Sequence, residues 1–320
     1  MVVTWLTHIA LGVLGGVMLY YGAEFLVKGG VSIALKFKIS PLVIGLTLVA
    51  FATSAPELAV SVSASLKGSG DVAMGNVVGS NICNIALILG LSALIAPLPI
   101  NRKLLKLDMP LMMGASVVLL LFYLLNNGVN RWQGIIFFLG VLAYTVWSIY
   151  SSRKEGVSED DGGDEVEIKE VNTWLSIGLV IAGLLILVFG ARFFVGSATF
   201  IARQLNVPEA VIALTVVAFG TSLPELATSI VAALKHEQDI AIGNVVGSNI
   251  FNILCIMGIS PMIKPITAQG ITLLDMGLMI GIAALLWIMM LCGKKINRLE
   301  GALFLVINFT YVGYLVYKVL

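Results

Sequence analysis

Two glutamates, Glu57 and Glu225, stand inside runs of residues that are otherwise apolar or small. A carboxylate at that depth in an apolar run is expensive, and its usual use is to meet a cation, a proton or a polar partner. Each closes a similar octapeptide, AFATSAPE at 50–57 and AFGTSLPE at 218–225. Thr53, Ser54 and Glu57 fall within one helical turn, as do Thr221, Ser222 and Glu225, so their oxygens can converge. Pro56 and Pro224 donate no backbone hydrogen bond and clash with the carbonyl one turn earlier, so each helix is expected to break. A break at membrane depth survives only where it lines a cavity or meets protein. It leaves carbonyl oxygens free, with those of Ala50 and Ala218 best placed to be offered. About twenty residues on come GNVVGSNICN at 75–84 and GNVVGSNIFN at 243–252. Ser80 and Asn84 are four apart on one helix face, as are Ser248 and Asn252.

No histidine, thiolate or arginine joins this set. A cage of carboxylates, hydroxyls, amides and carbonyls suits hard cations such as Na⁺, Ca²⁺ or Mg²⁺, and suits Zn²⁺ or Cu⁺ poorly. Mg²⁺ holds its waters, so Ca²⁺ is the better divalent candidate. Two glutamates supply charge −2, which one Ca²⁺, two Na⁺ or two protons neutralise. A pocket that holds one divalent ion or several monovalent ions, but not both, is the basis of an antiporter. Each feature alone has a plain structural explanation. A G-x-x-x-G pair packs helices, a Ser or Thr in a helix bonds its own backbone, and a lone Glu can be a neutral structural acid. Their duplication in register is what those explanations do not cover.

The elements that must position these residues come as a repeat. The stretch 43–97 recurs at 211–265 with an offset of 168 and no gap, and about 34 of 55 aligned positions are identical. The 320-residue chain is 59% hydrophobic and 12% charged, with a mean hydropathy of +1.02. That describes a polytopic membrane protein in a lipid bilayer. A net charge of +1 gives no reason to invoke nucleic acid. Ten spans are expected, roughly 5–27, 42–66, 72–96, 108–126, 131–151, 173–196, 208–234, 240–263, 270–293 and 299–319. The first is expected to be a retained span, since no small-residue cleavage site follows it. Cys83, Cys255 and Cys292 read as small hydrophobes without disulfide or metal spacing.

With the N-terminus outside, the cytoplasmic loops hold 13 Lys and Arg and the outer ones 6, so both termini are expected outside. Five spans per half is an odd number, so the second half enters from the opposite side. The expected fold is all-α, with ten transmembrane helices as two inverted five-helix repeats, 1–152 and 173–320, broken at the midplane. Between them, 153–172 reads as a flexible acidic cytoplasmic linker. It lacks the fixed ligand spacing of a calcium loop. Asp108 and Asp275 read as interfacial caps. Glu24 and Arg192, at equivalent positions, read as interfacial charges.

The double motif, (A/G)TS-x-PE followed by GN-x-x-GSN-x-x-N, resembles the alpha repeats of the calcium/cation antiporter superfamily. The resemblance is strongest to the prokaryotic sodium/calcium exchanger branch, and the ten-span plan extends it over the whole chain. It implies an electrogenic exchange of entering Na⁺ for leaving Ca²⁺, commonly three for one, across the cell membrane. It implies that Glu57 and Glu225 ligate Ca²⁺ with carbonyls of Thr53 and Thr221. It also implies Na⁺ sites at Ala50, Thr53, Ser54 and Ser248, and at Ala218, Thr221, Ser222 and Ser80, with Asn84 and Asn252 completing the central site. The only partners expected are Ca²⁺, Na⁺ and lipid, with no cofactor, no enzyme activity and a monomer as the working unit. Some family members carry Asp where Asn84 and Asn252 stand here, and the potassium-dependent branch tends to, which argues against K⁺ co-transport. The proton/calcium branch typically adds a glutamate in its GN motif, and none is present, so H⁺/Ca²⁺ exchange is the alternative. Two other classes compete. A channel needs a continuous pore, and an intramembrane enzyme needs carboxylates in unlike settings. The internal duplication argues against both.

Overall fold

In the computed structural model, the described residues are 2–155, 172–212, 215–216 and 218–319. Of the acidic stretch expected as a linker over 153–172, residues 156–171, including Glu159, Asp160, Asp161, Asp164, Glu165, Glu167 and Glu170, lie outside them, while 153–155 continue the preceding helix and Asn172 caps the next. The first half runs α1 (Val2–Phe37), α2 (Pro41–Thr53), α3 (Ala55–Lys67), α4 (Gly70–Ile95), α5 (Leu104–Asn126) and α6 (Arg131–Glu155). The second runs α7 (Thr173–Gln204), α8 (Glu209–Ile212), α9 (Ala218–Gly220), α10 (Leu223–Leu234), α11 (Gln238–Ile263), α12 (Leu273–Cys292) and α13 (Arg298–Val319). Among the described residues eight helices are long and apolar enough to cross a membrane, and α2 with α3 makes a ninth span bent by 45°.

Local chemistry sets the boundaries. Ser40 caps α2, its hydroxyl accepting from Val43 N–H, and Pro41 takes the first turn, where a missing N–H costs nothing. Gly68, at φ +76°, ends α3 in the left-handed conformation that glycine adopts without strain. Asp275 and Thr272 form a reciprocal capping box at the start of α12, as the cap reading expected. Thr272→Ala is expected to cost about 1 kcal/mol, read as a lower melting midpoint of the purified protein. Asp108 is no cap. It is fully buried and accepts from the Tyr144 hydroxyl at 2.9 Å. A π-helical turn over Leu104–Asp108 precedes α5's regular part and carries it inward.

The first helices of the two halves, α1 and α7, run well past their expected spans. α1 continues ten residues past position 27, through Gly29 and Gly30. The reason is a partner. A Cβ on Gly29 would fall 2.9 Å from the Ser176 carbonyl, so this glycine serves close approach to α7 and does not end the helix. Gly15 lies against Gly190, and Gly22 against Gly183, so α1 and α7 run antiparallel along a ridge of small residues. Thirty-six residues span about 54 Å, well beyond ~30 Å of hydrocarbon.

α4 and α11 form the centre. The apolar window of α11 is wholly buried, against 17% for α13 at the periphery. α2 crosses α11 and α10 crosses α4, so each half's broken segment packs on the other half's central helix. The connections are exchanged too. β1 (Leu98–Pro99) pairs antiparallel with β4 (Lys295–Ile296), and β2 (Gly128–Val129) with β3 (Ile266–Thr267). By the repeat, β1 corresponds to β3 and β2 to β4, so both ladders join one half to the other. Glu24 makes an ion pair with Lys235 at 2.8 Å, holding α1 to the end of α10, while Arg192 lies over the Phe189 ring.

Candidate functional site

The two breaks are built alike. Ser54 (φ −80°, ψ 4°) and Ser222 (φ −87°, ψ 7°) leave helical geometry, and α3 and α10 restart at the next residue with Pro56 and Pro224 in their first turns. Glu57 and Glu225 occupy those same first turns, where unpaired amides favour negative charge. Both carboxylates are about 1% exposed.

The oxygens converge across the halves. Within one helix the spacing suggested that Ser54 would join Glu57. Instead the Ser54 hydroxyl donates to Glu225 Oε1 at 3.0 Å, and the Ser222 hydroxyl donates to Glu57 Oε1 at 3.0 Å. Ser80 Oγ lies 3.3 Å from Ser222 Oγ. Thr221 stands within reach of the Glu57 carboxylate, and Thr53 within reach of Glu225. Each serine therefore braces the opposite repeat's acid. A break turns its last hydroxyl away from its own helix and toward the helix crossing it.

Asn84 and Asn252 begin π-helical turns, Asn84–Leu89 and Asn252–Ile256. Such a turn inserts a residue and re-aims the face, and it recurs at functional sites. Asn84 Nδ2 donates to Asn249 Oδ1 at 3.2 Å, and Asn252 Nδ2 donates to Asn81 Oδ1 at 3.0 Å. Asn76 donates to the Glu57 carbonyl at 3.0 Å and to Ser61 at 2.9 Å. Asn244 mirrors it, donating to the Glu225 carbonyl at 3.3 Å and to Ser229 at 2.9 Å. The Thr53 hydroxyl donates to Asn244 Oδ1 at 3.1 Å.

What stays unpaired is informative. Glu57 Oε2, Glu225 Oε2, Asn84 Oδ1, Asn252 Oδ1 and Ser248 Oγ are buried without a hydrogen-bond partner. Buried polar atoms are ordinarily satisfied, and each exception calls for a cause. Four of these five oxygens are the same two atoms in both repeats, and oxygen is what a hard cation takes. One nitrogen beside them, Asn249 Nδ2, is unpaired as well. Among the described residues no group of three or more His, Cys, Asp or Glu could hold a metal. Ligation here would rest on two carboxylates and neutral oxygens.

All twelve residues expected at the site lie on the broken segments or on the stretch of central helix crossing them, ten of them, Thr53, Ser54, Glu57, Ser80, Asn84, Thr221, Ser222, Glu225, Ser248 and Asn252, with a side-chain oxygen to offer. Ala50 differs from expectation. Its carbonyl is not free, because it accepts Ser54 N–H at 3.0 Å, with the Thr53 hydroxyl oxygen 3.3 Å away. The helical ladder persists through Ser54, one turn further than the clash with Pro56 suggested. In the second repeat Ser222 N–H turns to Phe219 O at 3.2 Å, a tighter bend. Ala218 opens α9 there, and its side chain lies outside the described set. Asn76, Asn81, Asn244 and Asn249 were not singled out from sequence. Their signal was present, since each amide recurs at the same place in both copies.

A cleft of about 370 Å³ between α3 and α4, lined by Ser63, Lys67, Ser69 and Val72 among others, lies toward the far end of α3 from Glu57. Nearer the acids lies a narrow crevice lined by Phe51, Ser54 and Phe251, among others, with the two phenylalanine rings 5.8 Å apart beside it. The acids themselves are enclosed.

Known proteins resemble this chain in sequence and fold. Residues 7–150 and 175–320 match the family model described as sodium/calcium exchanger protein. The chain is 36% identical over 307 residues to the putative antiporter CaxA of Alkalimonas amylolytica, covering 94% of this chain and 95% of that one. It is 33% identical to the sodium/calcium exchanger MaX1 of Methanosarcina acetivorans, covering 95% and 96%. A solved structure of the sodium-calcium exchanger NCX_Mj, soaked with Na⁺ and Ca²⁺, superposes with a TM-score of 0.82 at 31% identity, covering 96% of this chain and 98% of that one.

Proposed function

Because the chain belongs to the sodium/calcium exchanger protein family, we propose that it is a secondary Na⁺/Ca²⁺ antiporter that exports Ca²⁺ against entering Na⁺ by alternating access. The observation that carries this reading is the mirrored pair of buried acids. Each has one oxygen braced by the other repeat's serine and one oxygen with no partner. An empty, doubly ionised pair is costly at that depth. One Ca²⁺ or two Na⁺ removes the cost, and so links the two ions to one pocket.

Glu57 and Glu225 ligate Ca²⁺ in this reading, with Thr53 and Thr221 carbonyls and the Asn84 and Asn252 amide oxygens around them. Na⁺ takes the flanking positions near Ala50, Thr53, Ser54 and Ser248, and near Ala218, Thr221, Ser222 and Ser80. The ions are cargo, and no cofactor is needed. The bent α2–α3 span and the segments from α8 to α10 complete ten spans, as two inverted halves, 1–152 and 173–320, joined by a cytoplasmic segment 153–172. The antiparallel run of α1 against α7 supports the inversion. Both termini lie outside the cell membrane, and one chain suffices.

Two protons would neutralise the pair as two Na⁺ do, so the driver ion has to be measured. Purified protein in proteoliposomes is given Na⁺, K⁺ and H⁺ gradients in turn, with ⁴⁵Ca²⁺ uptake as the readout. Uptake driven by outward Na⁺ alone is expected. Uptake driven by H⁺ and indifferent to Na⁺ would move the assignment to H⁺/Ca²⁺ exchange.

A further inference from the structure

We propose that Asn81 and Asn249 are positioning residues that fix which end of the Asn84 and Asn252 amides faces the ion. The inference rests on the ion-binding reading of Asn84 and Asn252. An amide has a donor end and an acceptor end of nearly the same shape, and only the acceptor end can ligate a cation. What decides the orientation is the partner behind it. Asn252 Nδ2 donates to Asn81 Oδ1 at 3.0 Å, and Asn84 Nδ2 donates to Asn249 Oδ1 at 3.2 Å. With the donor end engaged, Asn252 Oδ1 and Asn84 Oδ1 are left buried and unpaired. All four asparagines are 1–2% exposed, so no solvent competes for either end.

The connection crosses the repeats in both directions. Asn81 on α4 serves Asn252 on α11, and Asn249 on α11 serves Asn84 on α4. Each central helix therefore carries one presented amide and one that orients its partner's. The presented amide follows three residues behind the orienting one, on the same face. The π-helical turn that begins at each presented amide gives it a different aim from its neighbour. Asn81 is itself steadied by a weak bond from Nδ2 to the Met279 sulfur at 3.7 Å, which keeps its oxygen toward Asn252. Asn249 has no such anchor, its Nδ2 being buried without a partner, so the orienting role is stronger at Asn81, where it is tested.

This predicts a specific coupling. An aspartate at 252 has two equivalent oxygens and needs no orienting partner. Asn81→Leu removes the acceptor while keeping the shape. It is expected to raise the Ca²⁺ half-saturation in equilibrium ⁴⁵Ca²⁺ binding about tenfold in the otherwise native protein, and less than about threefold in the Asn252→Asp background. An equal loss in both backgrounds would mean a merely structural role and overturn the proposal, as would no loss in the native background. Asn81→Asp keeps an acceptor and offers no donor, so it is expected to hold or increase the affinity. A loss there also overturns the proposal, and this variant decides the matter if the leucine variant does not fold. Glu57→Gln, measured alongside, separates the two readings. If it binds Ca²⁺ normally, the ion site itself has been misplaced, whatever Asn81 does.

Discussion

Glu57→Gln and Glu225→Gln are each expected to abolish Ca²⁺ uptake driven by an outward Na⁺ gradient. Either change leaves one carboxylate for a doubly charged ion in a site closed to water. Losing one partner of a buried ionic group costs about 3–5 kcal/mol, or roughly two to four orders of magnitude in affinity at about 1.4 kcal/mol per decade. The amide keeps the size and can still accept from Ser222 or Ser54, so the fold should stand. Size-exclusion profile and thermal midpoint should stay near those of the native protein while transport is lost. Because the two acids are related by the repeat, both variants should fail to a similar degree. Wild-type flux in either would refute the assignment. Full activity in one and none in the other would leave a single-carboxylate site and undo the symmetric account.

Gly247→Val is expected to have the largest effect on folding. A Cβ at Gly247 would lie 2.5 Å from the Leu46 carbonyl and 2.8 Å from the Ala50 Cβ. The first is backbone, which cannot rotate away as a side chain can. Gly243 is placed in the same way, with the Leu42 carbonyl 2.8 Å from a Cβ there. These glycines let α2 lie directly on α11, and that contact holds Ala50–Ser54 beside the second repeat's acid. Overpacking costs about 1–3 kcal/mol and more where backbone must move, so Gly247→Ala should lower the melting midpoint and Gly247→Val should fail to give monodisperse protein. An unchanged midpoint in both would contradict the close crossing.

Much of this was legible in the sequence. An in-register duplication, one acid per copy and a proline one residue before it were enough to place both breaks and ten of the oxygen-bearing side chains. The exchange between halves was not legible. Spacing within a helix says that Ser54 and Glu57 share a face, but it says nothing of which residue the crossing helix brings closer, and Ser54 bonds Glu225. The π-helical turns at Asn84 and Asn252 were also hidden, since no residue type demands an inserted residue. The first span was expected to end near 27, yet α1 runs on through Gly29, where it meets α7, and Gly30, which faces Ile44 and Val49 of α2. Asp108 looked like its repeat counterpart Asp275, but only Asp275 has a threonine three residues earlier to close a capping box. Where Asp275 has Thr272, Asp108 has Leu105. Both accept from a tyrosine 36 residues on, Tyr144 and Tyr311, at 2.9 Å, so Asp108 keeps that bond and lacks only the cap.

The central claim is that one pocket holds either Ca²⁺ or Na⁺ between two mirrored acids. Equilibrium ⁴⁵Ca²⁺ binding to the purified chain, titrated with Na⁺, tests it most directly. The expected result is one Ca²⁺ bound per chain, displaced by Na⁺ with a steeper than one-for-one dependence. Calcium that stays bound at saturating Na⁺, or binds equally well when both glutamates are glutamine, would contradict it.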